Sequence, residues 1–393
     1  MTETIPTHEE LVSRAEAVAE KVARFELESD RRRSLHPESV AAMREAGLFK
    51  VIQPRRIGGY EHGLPTLQAV SRALGAGCTA ASWVYTVTGA HTWVMGMYPE
   101  EVQDEIYEDD PDTLIPGTLA AQGKATPVDG GFRISGQWQF ASGCDHARWG
   151  LFCARQTDSE KGAPKHIHVM VPAGDYRIED TWHVMGLRGT GSKDIVMDDA
   201  FVPAHRAMPT GDLFDAATPA ASRHATSVYR FPILPSLTYL LTGPVLAIAD
   251  RIYEAHVERT AGRRDRYDGS SKAGKQATQM RVAESWAEIQ SAKAFVREIE
   301  ENYRGWLERD ERPTDEERIS VKWRSAYAVR LCCRAADRLF EASGANTVYE
   351  REPILRLVES LHTAAHHAAA DFDNNATSFG SFALGQGPGT FLI

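Results

Sequence analysis

The chain lacks most of what marks specialised classes of protein. It has no excess of positive charge: 44 Lys and Arg stand against 54 Asp and Glu, for a net charge of −10. Its densest basic stretch, Arg259–Arg266, holds Asp265 and is flanked by acids. Tracking a phosphate backbone needs a basic stripe, so no nucleic-acid partner is expected. It has no run fit to cross a bilayer, because the longest mostly apolar stretch, Ile233–Ile248, is broken by Pro235 and Pro244. No membrane association is expected. The N-terminal MTETIPTHEELVSRAEAVAEKV is acidic and amphipathic, unlike a signal or transit peptide. Cysteine is sparse: five residues, no CxxC pair and an odd count, which predicts buried, reduced thiols and a cytoplasmic location. Histidines number 14, yet no helical His-x-x-x-His pair carries an acid at a ligand offset. No metal is expected. No GxGxxG follows a strand pattern, so NAD(P)H is not expected to bind here in a Rossmann manner.

What is present is ordinary in bulk and informative in order. The 393 residues, 42% hydrophobic and 25% charged, suffice for a large core or two to three subdomains. Residues 1–113 read as an α-helical domain. Thr7 is placed to cap a first helix, Pro37 to open another that stops at Gly47, and the small, aromatic stretch Ala80–Met97 predicts a helix buried on most sides. From 114 to 210 the period shortens to two in GGFRISGQWQF, HIHVMVP and DIVMDDAFVP, which predicts an antiparallel β-domain of about seven short strands. After a Pro/Ala/Ser-rich connection, residues 225–393 return to the helical period over long segments broken at Asp268–Gly274 and Pro313. This predicts an antiparallel four-helix bundle with a glycine-rich tail whose apolar tip is suited to dock on a neighbouring subunit. The fold class is α+β, mostly α.

Two segments of the β-domain carry candidate chemistry. Trp182–Pro203 reads WHVMGLRGTGSKDIVMDDAFVP: a turn rich in Gly presents Arg188, Thr190 and Ser192, and a strand follows. Phe132–Trp149 reads FRISGQWQFASGCDHARW, a strand that meets a turn at Ser142–Gly143. Glycines let backbone N–H groups and hydroxyls converge on a polar ligand edge. With Trp138 and Trp182 nearby, two such units suit a flat, hydrogen-bonding ring, and the domain reads as flavin-binding. A turn-capping serine at 142 and a satisfied core histidine at 91 would give the same local pattern.

The order G-x-W-x-x-x-S-G, then MGLRGTGS with FVP, then LFEASGA at Leu339–Ala345, resembles the acyl-CoA dehydrogenase fold superfamily over nearly the whole chain. SGCDHARW and GLRGTGS resemble its flavin-dependent monooxygenase branch, the oxygenase components of two-component systems such as 4-hydroxyphenylacetate and phenolic seco-steroid hydroxylases. The resemblance implies an acyl-CoA dehydrogenase-like architecture and a homotetramer. It implies reduced flavin, FMNH₂ with FAD as the other possibility, delivered by a separate NAD(P)H:flavin reductase. It further implies O₂ activation through a C4a-hydroperoxyflavin and hydroxylation of a small aromatic, phenolic substrate. Ser142 then matches the serine at flavin N5. His91 matches the histidine that binds the phenol and favours phenolate, with Trp93 beside it, and His367 matches the second catalytic histidine. Trp138, Ser142, Arg188, Thr190 and Ser192 match the flavin edge, and Arg263 the flavin phosphate. One departure stands out. Where the family often has a serine-rich strand, this chain has Ile115–Pro116–Gly117–Thr118, leaving Thr118 as the substitute hydroxyl or the pocket more open.

Two other activities share this scaffold. An acyl-CoA dehydrogenase needs a glutamate base near the C-terminus, and the corresponding DFDNNATSFG has none. N-hydroxylation of an amine would use the same flavin chemistry in a different pocket. The aromatics Trp93, Phe140, Trp182, Tyr229 and Phe231 favour an aromatic substrate.

Overall fold

A computed structural model describes residues 5–157 and 165–389. The C-terminal tip expected to dock on a neighbour (390–393) lies outside them. The first helices are α1 (His8–Ala23), α2 (Glu26–Arg32), α3 (Pro37–Glu45), α4 (Leu64–Gly75), α5 (Thr79–Met95) and α6 (Glu100–Tyr107). Helix α1 opens on a reciprocal cap, in which the Thr7 hydroxyl accepts from Glu10 N–H and the Glu10 carboxylate accepts from Thr7 N–H. Pro37 occupies the first turn of α3. Helix α5 is buried on nearly every side, as its small and aromatic residues require.

The strands are β1 (Gly117–Val128), β2 (Gly131–Ala141), β3 (Trp149–Gln156), β4 (His166–Pro172), β5 (Arg177–Glu179), β6 (Lys193–Pro203) and β7 (Ala207–Pro209). They form one sheet in the order β5-β6-β2-β1-β3-β4-β7. The expected all-antiparallel arrangement is corrected at one place: β1 and β3 run parallel. Strand β2 pairs with one edge of β1, and the chain then reverses again to lay β3 along the other edge, so β3 regains the direction of β1. The sheet has its own apolar core around Trp138, Phe152, Val169 and Ile195.

Helices α7 (Thr210–Phe214), α8 (Ile233–Leu240), α9 (Thr242–Ala261), α10 (Gln276–Arg309), α11 (Asp315–Ala342), α12 (Pro353–Ala365) and α13 (Phe372–Ala383) follow. The long segments α9 to α12 are the expected bundle. Pro313 ends one connection, and Thr314 with Glu317 repeats the reciprocal cap at α11. Segment Ile233–Ala261 is apolar enough to cross a membrane by composition, but 89% of its most apolar window is buried inside the fold. All five cysteines are buried and unpaired. The Arg251 guanidinium of α9 grips Glu26 of α2 with two hydrogen bonds of 2.8 and 2.7 Å, and Glu26 also accepts from the Thr79 N–H that starts α5 at 2.9 Å. One bidentate ion pair thereby ties the N-terminal helices to the bundle.

Candidate active site

A β-bulge sets the first part of the site. Strand β2 slips in register against β6 between Trp138 and Ala141, which puts Phe140 at φ 69° and leaves it 60% exposed. A bulky residue in the left-handed region is strained, and such strain collects at functional sites. Phe140 meets Trp182 edge to face at 6.1 Å between centroids. The chain then turns through Ser142 and Gly143, whose φ of 79° and closeness to Val84 of α5 leave no room for a side chain.

The Ser142 hydroxyl sits in a continuous polar chain. Trp83 of α5 donates its indole N–H to Ser142 Oγ at 3.3 Å. Ser142 Oγ lies 2.7 Å from Ser192 Oγ, and Ser192 Oγ lies 2.7 Å from Thr190 Oγ1. Thr190 donates its hydroxyl to the Leu187 carbonyl at 2.8 Å. Ser142, Thr190 and Ser192, picked out from separate turns, are therefore brought together.

The loop that carries Thr190 and Ser192 is gripped from two sides. A side chain at Gly189 would run into Ser29 and Ala80, and one at Gly186 into the backbone of α12 at Glu359. Asp30 of α2 accepts from Gly189 N–H at 3.1 Å, and Ser360 of α12 accepts from Leu187 N–H at 3.1 Å. Burial raises the Asp30 carboxyl above the usual range, and the Gly189 hydrogen bond opposes that rise.

Two histidines complete the constellation. His367 stands edge-on to Trp83 at 5.8 Å between centroids. Its Nδ1 accepts from Ala369 N–H at 3.1 Å, so the neutral ring carries its proton on Nε2. His91 makes the opposite choice. Its Nδ1 lies 2.8 Å from the Ile115 carbonyl, which can only accept, so the proton is on Nδ1 and Nε2 is a bare acceptor. Burial lowers both to about 4; the Ile115 bond opposes the shift at His91, and the charge of a protonated His91 lowers His367 further. Both are thus neutral near pH 7 and share one electrostatic neighbourhood. His168 on β4 belongs to it as well: it is fully buried, bonded to Thr210 at 3.0 Å, and lowered to about 3 by burial and then by His91. Nothing in the sequence marks it beyond its place in an alternating strand.

The other expected residues lie elsewhere. Trp138 is fully buried in the sheet core and spends its indole N–H on the Cys153 carbonyl at 2.7 Å. Trp93 is also fully buried, with its N–H on the Val228 carbonyl at 2.8 Å. Neither keeps a polar handle for a ligand. Thr118 pairs with Phe152 of the sheet core, whereas the next residue, Leu119, packs on the helical core. The Thr118 hydroxyl accepts from Ala120 N–H at 3.2 Å, beside a slip in the register of β1. Arg188 donates to the Val184 carbonyl at 3.1 Å and lies 3.9 Å from Glu359. Arg263 donates to the Ser343 carbonyl and packs on Gly344 at the end of α11. Among the described residues no hydrogen bond joins either arginine to the hydroxyl chain. His362 pairs with Asp337 of α11 at 2.7 Å.

An acidic surface cleft of about 700 Å³, lined by Ile57, Glu101, Asp104, Glu105, Tyr107 and Glu108, shares no residue with this constellation. Glu101, Glu105 and His205 have metal-ligand spacing there. Glu105 is already held by His205 at 2.8 Å and Arg206 at 2.5 Å.

The donor set fits a flavin edge. Ser142 Oγ keeps one lone pair uncommitted, the exposed Phe140 and Trp182 flank the turn, and glycines remove side chains where backbone must come close. Comparison with known proteins points the same way. The chain matches the family models for the N-terminal domain (residues 6–107) and the C-terminal domain (residues 239–372) of acyl-CoA dehydrogenase. It is 32% identical over 391 residues to the oxygenase component of FADH(2)-dependent resorcinol hydroxylase from Rhizobium sp. (strain MTP-10005), covering 97% of this chain and 95% of that one. Its fold is similar to that of 3-HSA hydroxylase from Rhodococcus sp. RHA1, with a TM-score of 0.92 at 27% identity, covering 98% and 100% of the two chains. It is also similar to XiaF from Streptomyces sp. in complex with FADH2 and glycerol, with a TM-score of 0.90 at 26% identity, covering 97% and 96%.

Proposed function

The chain belongs to the oxygenase components of flavin-dependent monooxygenases built on the acyl-CoA dehydrogenase fold, and from that premise we propose that it hydroxylates a small phenol held between His91 and the Ser142 turn. The observation that carries this reading is the pair of histidines in opposite tautomers, of which His367 stands edge-on to the Trp83 that bonds the hydroxyl chain. A bound reduced flavin would supply the two electrons that activate O₂, from which one oxygen atom goes to the phenol and the other leaves as water; a partner NAD(P)H:flavin reductase would supply the reduced flavin.

The protein's own residues divide the remaining work. His91 accepts the phenol hydrogen at Nε2, which shifts electron density into the ring and makes its carbon more nucleophilic. With its pKa held low, His91 polarises the phenol as a neutral acceptor and does not sit in the pocket as a cation. His367 offers Nε2–H to an oxygen atom on the Trp83 side. Ser142 meets the flavin edge, held by Ser192 and Thr190 behind it, and Phe140 with Trp182 shields it from water. Trp138, Trp93 and Thr118 have no part in this assignment. Arg263 is assigned to the flavin phosphate of a neighbouring subunit.

The hydroxyl chain addresses the ring common to FMN and FAD. FMN is our assignment, while the resorcinol hydroxylase and XiaF are named with FADH2; parallel titration with both flavins decides. We assign the exposed Tyr267, before α10, and Met280 and Trp286, on α10, to subunit contacts in a homotetramer, which light scattering tests. Buried, unpaired thiols and an NAD(P)H-driven partner support our reading that it works in the cytoplasm.

The deciding experiment supplies flavin, a flavin reductase, NADH and a panel of phenols in air. Hydroxylated product in step with NADH consumption supports the reading. Peroxide alone with every phenol rejects a phenolic substrate and turns the search to amines. Anaerobic reduction of a dye by acyl-CoA places the chain with the dehydrogenases.

A further inference from the structure

The hydroxyl chain at Ser142 has a fixed direction. A carbonyl cannot donate, so the single Thr190 hydrogen points at Leu187 O. The Thr190–Ser192 contact then requires the Ser192 hydrogen, and the Ser192–Ser142 contact requires the Ser142 hydrogen. Trp83, a pure donor, fills one Ser142 lone pair. What Ser142 presents outward is a lone pair and no hydrogen. The far end is well anchored, because Leu187 O also receives Trp182 Nε1–H at 3.1 Å and Thr190 N–H at 3.1 Å, and Leu187 itself is held at φ 51°.

We propose that Thr190 and Ser192, polarised toward the Leu187 carbonyl, are positioning residues that fix Ser142 as a hydrogen-bond acceptor toward the ring and so set how strongly the site prefers reduced to oxidised flavin. The proposal rests on the assignment of Ser142 to the flavin N5 edge. Reduced flavin carries a hydrogen on N5 and donates it to Ser142 with the whole chain intact. Oxidised flavin has a bare N5, and two acceptors then face each other. Satisfying it means reversing every hydroxyl, which withdraws the Thr190 hydrogen from Leu187 O. The preference is therefore worth one hydrogen bond, roughly tenfold in affinity. An enzyme that borrows its flavin from another protein needs this bias: it captures the reduced form from a pool rich in the oxidised form and releases the ring after turnover. Thr190 and Ser192 are positioning residues that act through Ser142.

The test is anaerobic titration of the full-length protein with oxidised and with reduced FMN. Wild type is expected to bind the reduced form about tenfold more tightly, equivalent to about 30 mV in the two-electron potential of the bound flavin. Thr190→Val keeps the shape but gives Ser192 no acceptor beyond Ser142, so the hydroxyls reverse freely and the ratio falls to about one. Thr190→Ser restores the sink and the ratio. Matched thermal melts show whether Thr190→Val is folded, and Ser192→Ala, with the same expected ratio, stands in if it is not. A preference kept in both Thr190→Val and Ser192→Ala overturns the proposal. A wild type that hydroxylates phenols yet binds both forms equally overturns it alone, and one that binds neither form overturns the flavin assignment with it.

Discussion

Lowering the pH should unfold this protein through three histidines, His91 and His168 buried and His367 half-buried. His91 and His367 have folded-state values of about 4 and His168 about 3, against about 6.5 in an unfolded chain. The folded values are depressed, so stability is complete above about pH 7. It is lost as the unfolded chain takes up protons below about 6.5, and the loss continues until the folded rings protonate near 4 and 3. At pH 5.5 each ring costs about 1.4 kcal/mol, and the three together about 4 kcal/mol, a large fraction of a typical domain's stability. The assay is urea denaturation at pH 7.5 and 5.5, at one protein concentration, for wild type and His91→Gln. The glutamine shifts absolute stability by an amount that does not depend on pH. It should also shrink the loss between the two pH values by about 1.4 kcal/mol. Carboxylates elsewhere contribute equally to both proteins and cancel. An unchanged loss in His91→Gln would mean that His91 is solvated or already charged in the folded protein, and the assignment of a neutral acceptor would fall with it.

Three further substitutions probe the site. His91→Ala should lower kcat/KM for hydroxylation by roughly a hundredfold or more while O₂ uptake persists; product and oxygen traces recorded together decide, and parallel losses in both would remove His91 from the phenol. Ser142→Ala should raise the peroxide formed per NADH consumed, and equal coupling in variant and wild type refutes its place at the flavin edge. Gly189→Ala puts a methyl 2.9 Å from the Ser29 side chain and 3.0 Å from that of Ala80, which should cost about 1–3 kcal/mol and weaken flavin binding; a melting temperature equal to wild type would show the loop to be free of both helices.

Local signals were legible wherever one residue type has one physical use. Thr7 before Glu10 and Pro37 at a first turn mark helix starts because few other residues satisfy those positions. Ser142, Thr190 and Ser192 could be grouped because glycine turns expose hydroxyls. What alternation cannot carry is a bulge. In Ile134–Gly136–Trp138–Phe140 a period of two puts both aromatics on one face, whereas the slip in register buries Trp138 and exposes Phe140. The same limit hid Thr118, whose facing depends on the pairing of β1 with β3, two strands that are not neighbours in the chain. The acidity of the histidines was beyond reach for another reason. It comes from burial against three separate parts of the fold, and composition near His91 says nothing of His168 or His367.

That dispersal also explains why the site depends on the packing of the whole molecule. Trp83 comes from the N-terminal helices, Ser142, Thr190 and Ser192 from the sheet, and His367 from the C-terminal helices; no unit holds two ends of the constellation. A chain of hydroxyls keeps one direction only while each oxygen stays within bonding distance of the next, and a displacement of about 1 Å breaks a link of 2.7 Å. Three independent units therefore have to be fixed relative to one another to better than that. Loops held by water-exposed contacts do not reach this precision, but backbone seated directly on backbone does. Gly186 seats the loop on α12 and Gly189 seats it on α2. The Glu26–Arg251 pair locks α2 to α9, and α9 packs on α12. The glycines that looked like a ligand-binding turn in the sequence thus act first as the seats that bring the domains into register, and the hydroxyl chain is the part of the molecule that would report any slip between them.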